Sequence, residues 1–159
     1  MINVKLICVG NLKEAYLRDA FAEYEKRLSG LCRFECVALK EYKLPENPSD
    51  SEISAALEDE AKRILPLMPP RAYKIALCVE GKQYSSEDFA KILDEAALSH
   101  SEIVFVIGSS YGMAQKVKEA ADLRLSISKM TFPHQLIRVI SAETIYRAFN
   151  IIKGTRYHK

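Results

Sequence analysis

Hydrophobic and polar positions follow two rhythms along this chain, and the switches between them divide 159 residues into short elements. "VKLICV" (4–9) is an apolar run of strand length. The following "KEAYLRDAFAEYEKRLS" places Ala15, Leu17, Ala20, Phe21, Tyr24 and Leu28 at helical spacing. "CRFECVAL" (32–39) alternates Cys32, Phe34, Cys36 and Ala38 with Arg33, Glu35, Val37 and Leu39, which predicts a second strand. A turn region, "KLPENPSD" (43–50), comes next. Ser49 and Glu52 stand three apart as a capping box, opening a helix that runs to about Leu65, where Pro66, Pro69 and Pro70 stop it. "YKIALCV" (73–79) predicts a third strand, and "SSEDFAKILDEAALS" a helix with a serine cap and two acids in its first turn. "EIVFVI" (102–107) reads as a strand buried on both faces of a sheet. The loop "GSSYGM" (108–113) leads to a short helix over 115–121, and "LRLSIS" (123–128) predicts the last strand.

The loop "SKMTFPHQLIRV" (128–139) opens a long helix over 135–152. On its wheel Glu143, Thr144, Arg147 and Asn150 form one narrow polar stripe, and most of the remaining circumference is apolar. Such a helix buries more than one side. One side can pack on its own sheet, and the other implies a partner surface, for which a second copy of the chain is the commonest occupant. Five strands alternating with five helices predict one α/β domain over 1–159, in three layers, with a mostly parallel sheet and helices on both faces.

Composition refines this picture at a few points. A hydrophobic content of 48% fits one domain with a substantial core. The first apolar run contains Lys5 and is too short for a secretory signal, and no stretch approaches the length of a membrane span, so a cytoplasmic location is expected. Cys8 and Cys78 fall inside strand-like runs and read as buried thiols. Cys32 and Cys36 have no second Cys or His pair nearby, and His100, His134 and His158 are scattered, so no metal site is expected. The net charge of +2 conceals an uneven distribution: residues 35–63 carry eight acids against four bases, whereas from Arg138 onward five bases face the single acid Glu143. That basic end fits either a polyanion partner or a solvated tail.

Ligands of open parallel sheets bind beyond the carboxyl ends of strands. Three such ends carry suggestive residues: "VEGK" (79–82), "IGSSYG" (107–112) and "SKMTFPH" (128–134). Gly81, Gly108 and Gly112 either let the backbone approach a ligand or simply make turns. Familiar nucleotide signatures are missing, since no glycine loop ends in Gly-Lys-Ser or Gly-Lys-Thr and "GSSYG" lacks the third glycine of the dinucleotide fingerprint. Ser109 and Ser110 follow a strand without a Gly-x-Ser-x-Gly elbow, and His134 has no obvious orienting acid. A pocket of backbone, glycine and apolar side chains remains, which suits an uncharged aromatic head such as adenosine and chemistry that depends on positioning.

"FVIGSSYG", "SISKMTFPHQLIRVISAETIYRAF", the terminal "YHK", "EYEKRL" and "PENPSD" together resemble the bacterial RlmH family, ribosomal large-subunit methyltransferase H of the SPOUT class. The likeness runs the whole length of the chain. It implies a trefoil-knotted α/β methyltransferase that works as a homodimer, uses S-adenosylmethionine, and methylates N3 of a pseudouridine in 23S ribosomal RNA of the assembled ribosome. Carried over by position, the resemblance assigns cofactor contacts to Leu77, Gly108, Ile127, Ser128, Lys129, Met130, Thr131 and Phe132. It sets His134 and Arg138 near the reacting centre; the plainer roles are a capping or packing histidine and a salt-bridged structural arginine. It also makes Tyr157, His158 and Lys159 a tail that reaches the partner's pocket. His158, Lys159 and Arg138 are the candidates for removing the N3 proton. One departure is visible, because Ser109 stands where the family usually has a second glycine, which bears on the local φ. Two other classes remain: a non-catalytic ribosome-binding or assembly factor, which would ignore S-adenosylmethionine in calorimetry, and a flavodoxin-like domain, which would carry coloured flavin.

Overall fold

The opening apolar run becomes β1 (Asn3–Val9), a strand flanked on both sides. The computed structural model describes all 159 residues. In chain order β1 is followed by α1 (Ala15–Leu28), β2 (Arg33–Leu39), α2 (Asp50–Ile64) with a short 3-10 turn at Leu65–Leu67, and β3 (Tyr73–Lys82). Then come α3 (Ser86–Ser99), β4 (Glu102–Ile107), α4 (Gln115–Ala120), β5 (Leu123–Leu125) and α5 (His134–Ile152). The strands lie in the order β2-β1-β4-β3-β5, and every pairing is parallel, so the sheet is wholly rather than mostly parallel.

Both faces of this sheet are covered, as continuous apolar strands require. Leu6, Ile75, Ile103 and Phe105 pack beneath Phe21 and Leu28 of α1, Phe89 and Leu93 of α3, and Ile145 and Phe149 of α5. The intervening residues Ile7, Val9, Val104 and Val106 face the opposite way, onto Ile64 of α2, Met68, and Val117 of α4. Each such side chain, fully buried, contributes roughly 1.5–3 kcal/mol. The last helix, α5, packs against both α1 and α3. Its two apolar flanks are therefore partly met within the subunit.

The capping box forms: Ser49 Oγ accepts from the Glu52 amide at 3.2 Å, and the Ser49 amide donates to Glu52 Oε1 at 3.1 Å. Two strand limits differ from the periodicity. β3 runs on to Lys82, because Gly81 lets its backbone press against β5; a β-carbon there would meet Arg124 O at 2.7 Å. β5 stops at Leu125 rather than 128, since serine side chains turn the chain aside: Ser126 Oγ donates to Ser128 O at 3.0 Å, and Ser128 Oγ accepts from the Met130 amide at 3.0 Å. Asn150 lies at the end of the polar stripe of α5. It is buried, donates to Tyr146 O at 2.8 Å and accepts from Thr155 Oγ1 at 2.6 Å, so it anchors the end of α5.

Candidate active site

β3, β4 and β5 deliver their carboxyl ends to one edge of the sheet, and the loops that leave them enclose a cleft of about 580 Å³. That volume suits a ligand of nucleoside size. Leu77, Gly108, Ile127, Ser128, Met130, Thr131 and Phe132 all line it, together with His134. Lys129 is exposed and is not among the lining residues. Half of the twenty lining residues are hydrophobic, so the cleft offers apolar walls with a few polar groups between them.

Several lining residues had no signal of their own in the sequence. Glu80, at the end of β3, is ion-paired with Lys118 of α4, whose ammonium holds the Glu80 carboxyl below the usual carboxylate range. Cys78 is only partly buried and forms part of the wall, not of the core; burial still pushes its thiol up, which makes it a poor nucleophile. The glycine loop closes on itself. The Ser109 amide donates to Gly112 O at 3.0 Å, and the Gly112 amide donates back to Ser109 O at 2.8 Å. A β-carbon on Gly108 would stand 2.1 Å from Gly112 O, so glycine is required there by the loop's own backbone. Gly112 takes the left-handed conformation at φ 88°, and no residue other than glycine has a positive φ, so Ser109 sits without strain. Its hydroxyl donates to Gly112 O at 3.4 Å. Behind the loop Glu60 of α2, only 3% exposed, accepts from the Tyr42 amide at 3.2 Å.

His134 is the first residue of α5 and makes no capping bond to the helix, which leaves its ring for the cleft. Arg138 lies one turn further on, 4% exposed and outside the lining residues. It is not salt-bridged: Nη2 donates to Gly10 O at 2.7 Å, tying α5 to the end of β1, and Nε has no partner. Cys8 and Cys36 are neighbours on the paired strands β1 and β2 beside it. With the Cys8 thiol and the Arg138 cation close by, the Cys36 thiol is held below the usual thiol range. Gly10 itself is bare backbone at φ 87°, and a β-carbon there would stand 3.4 Å from Glu41 Oε2 and 3.9 Å from His134 Nε2.

The C-terminal tail does not enter the cleft of its own subunit. Tyr157 stacks edge-on against Tyr146, with ring centroids 4.7 Å apart, and donates to Glu143 Oε1 at 3.0 Å. Burial and that carboxylate push its phenol up to about 12. His158 bridges Arg147, 3.2 Å from Nδ1, and Glu87 at the start of α3, 2.7 Å from Nε2, while Lys159 is exposed.

The chain has relatives among known proteins. Residues 2–158 match a family model described as predicted SPOUT methyltransferase. The ribosomal RNA large subunit methyltransferase H of Streptococcus thermophilus is 50% identical over 159 residues, covering 99% of this chain and all of the relative. The protein of that name from Streptococcus uberis is 45% identical over the same span. Among solved structures, the tRNA (m1G37) methyltransferase of Aquifex aeolicus superposes with a TM-score of 0.53 at 11% identity, over 99% of this chain and 73% of that one, a likeness of fold. The chain belongs to the SPOUT methyltransferase family.

Proposed function

We propose that this protein is an S-adenosylmethionine-dependent methyltransferase that acts on N3 of a pseudouridine in 23S ribosomal RNA, working in the cytoplasm as a homodimer with a trefoil-knotted C-terminal region. The observation that carries this reading is 50% identity, across the full length of both chains, to a protein named ribosomal RNA large subunit methyltransferase H. The cleft supports it: glycine, backbone and apolar side chains from three strand ends suit an adenosine head, and its volume suits a ligand of nucleoside size. No helix is long and apolar enough to cross a membrane.

When bound, S-adenosylmethionine would supply an electrophilic methyl group on a sulfonium sulfur. Leu77, Ile127, Met130 and Phe132 would form the walls around it, and the backbone of Gly108, Ser128 and Thr131 would supply donors and acceptors to the adenine and ribose. The protein's remaining work is alignment and proton management, because an in-line displacement requires nucleophile, carbon and sulfur in one line and a nitrogen free of its proton. His134 lines the cleft and is the group best sited to accept that proton. Arg138, one turn behind it, holds α5 against β1 and thereby fixes where His134 stands. Tyr157, His158 and Lys159 of one subunit would complete the site of the other, stacking on a base or neutralising phosphate.

The test is methylation of ribosomes from a strain lacking the activity, with mass spectrometry of the modified nucleoside. Ribosomes should be methylated much faster than naked 23S RNA at equal salt, because shape and phosphate contacts carry the recognition and the assembled particle completes them. No S-adenosylmethionine binding in calorimetry would point instead to an assembly factor.

A further inference from the structure

On the reading in which the tail of one subunit completes the methyl-transfer site of the other, we propose that Glu87, in the first turn of α3, is a positioning residue for that tail. Together with Arg147 it takes up both ring nitrogens of His158, which makes His158 a brace for the chain end and leaves proton removal to other groups.

The contacts are direct. Nε2 of His158 stands 2.7 Å from Glu87 Oε1, and Nδ1 stands 3.2 Å from Arg147 Nη1. A guanidinium has donors and no acceptor, so Nδ1 must accept. An ionised carboxylate only accepts, so Nε2 must carry the hydrogen. One species meets both demands, the neutral ring protonated at Nε2. Glu87 stays ionised in this setting: the His158 bond holds its carboxyl below the usual carboxylate range, and its place in the first turn of α3 favours an anion. A charged imidazole would turn an N–H toward the Arg147 cation, and a base needs a bare nitrogen facing its substrate. Here neither nitrogen is free.

The rest of the tail is held by α5. Glu143 Oε1 accepts from Arg147 Nη2 at 2.5 Å and from the Tyr157 hydroxyl at 3.0 Å. The Arg147 guanidinium also lies over the Tyr157 ring, 4.8 Å from its centroid. Upstream, the Thr155 amide donates to Asn150 O at 3.0 Å. Glu87 adds a hold from α3, which packs against α5, so the chain end is fixed between two helices. Tyr157 and His158 are half-buried as a result, while Arg156 and Lys159 on either side are exposed. A tail pinned in this way presents its cations outward, where an RNA phosphate can meet them.

The Glu87 side chain is 57% exposed, so its pairing adds little to the stability of the fold. Its effect is on where the ring and the two flanking cations stand, and loss of alignment is read in a rate rather than in a melting temperature. No spacing in the sequence joins Glu87 to His158, 71 residues further on; the packing of α3 on α5 does.

The His158 ring is followed by long-range proton–nitrogen NMR in the free protein at neutral pH, which needs neither cofactor nor RNA. Wild type should show hydrogen on Nε2 and a bare Nδ1. Glu87→Ala should lose that single tautomer, and Glu87→Gln, which keeps an acceptor oxygen, should retain it. In ribosome methylation Glu87→Ala should lose about 10-fold in kcat, with S-adenosylmethionine binding within about twofold of wild type and Tm within about 1 °C, and Glu87→Gln should recover most of the loss. His158→Gln, which has an amide for the brace and nothing for a base, should stay within about 10-fold of wild type and well above His158→Ala. A doubly protonated or Nδ1–H ring in wild type, an unchanged kcat in Glu87→Ala, or equal losses in His158→Gln and His158→Ala would each overturn the proposal. If wild-type protein leaves ribosomes unmethylated, the functional reading fails on its own, and the ring spectrum still decides whether Glu87 and Arg147 hold His158.

Discussion

Glu60 shows how much one buried group can report. Burial raises its pKa above the ordinary 4.5, so the folded chain binds that proton more tightly than the unfolded one. The stability it contributes is therefore present at acid pH and lost as pH rises through the folded midpoint. Glu60→Gln keeps an oxygen for the Tyr42 amide and removes the charge; it should match wild type at low pH and melt higher at neutral pH. Identical pH dependence of Tm in the two proteins would count against this. Glu60→Ala instead removes the partner of the Tyr42 amide, which water can replace in this exposed segment, and should cost roughly 0.5–1.5 kcal/mol in chemical denaturation. At this scale sequence was a partial guide. Gly108 stood out as a strand-end glycine, but its need for glycine comes from Gly112 O, which reaches it only after the turn has closed. Gly108→Val should accordingly disturb the loop and cofactor binding together, seen as lost calorimetric binding and a lowered Tm. Arg138 was visible as a cation, whereas its carbonyl partner on Gly10, 128 residues away, was not.

Local rules were most reliable for elements whose signals are themselves local. The box at Ser49 and Glu52 opens α2 where the spacing placed it, and Ser49→Ala should lower stability by about 1 kcal/mol. Denaturation midpoints that do not separate would exclude the cap's contribution. At the other end of the fold, Gly154 ends α5 in the left-handed conformation at φ 67°. Gly154→Ala should cost about 1 kcal/mol for the same class of reason, and an unchanged midpoint would mean that the terminus relaxes freely. The limit of β3 escaped the periodicity because it is set across the sheet, by Gly81 against Arg124, and that of β5 because serine side chains turn the chain locally where apolar alternation still runs on.

For the whole molecule, the convergence of three strand ends into one cleft followed from the order of elements, since all-parallel sheets put their loops on one edge. The hold of Arg63 on Lys40 O and of Glu60 on the Tyr42 amide did not, because it needs α2 folded beneath a connection that has no pattern of its own. The tail supplies a test at this scale. Ending the chain at Thr155 keeps the Asn150 anchor, so fold and S-adenosylmethionine binding should persist while ribosome methylation disappears. Full activity in that shortened homodimer would remove Tyr157, His158 and Lys159 from the composite site.

The seat of α5 between α1 and α3 also sets an order of events. Strands and helices up to β5 leave the ribosome first, but the face of β1 and β4 that Ile145 and Phe149 cover stays bare until the last helix has emerged. A nascent chain of this protein thus carries an open apolar groove for nearly all of its synthesis, and a prematurely ended one carries it for good.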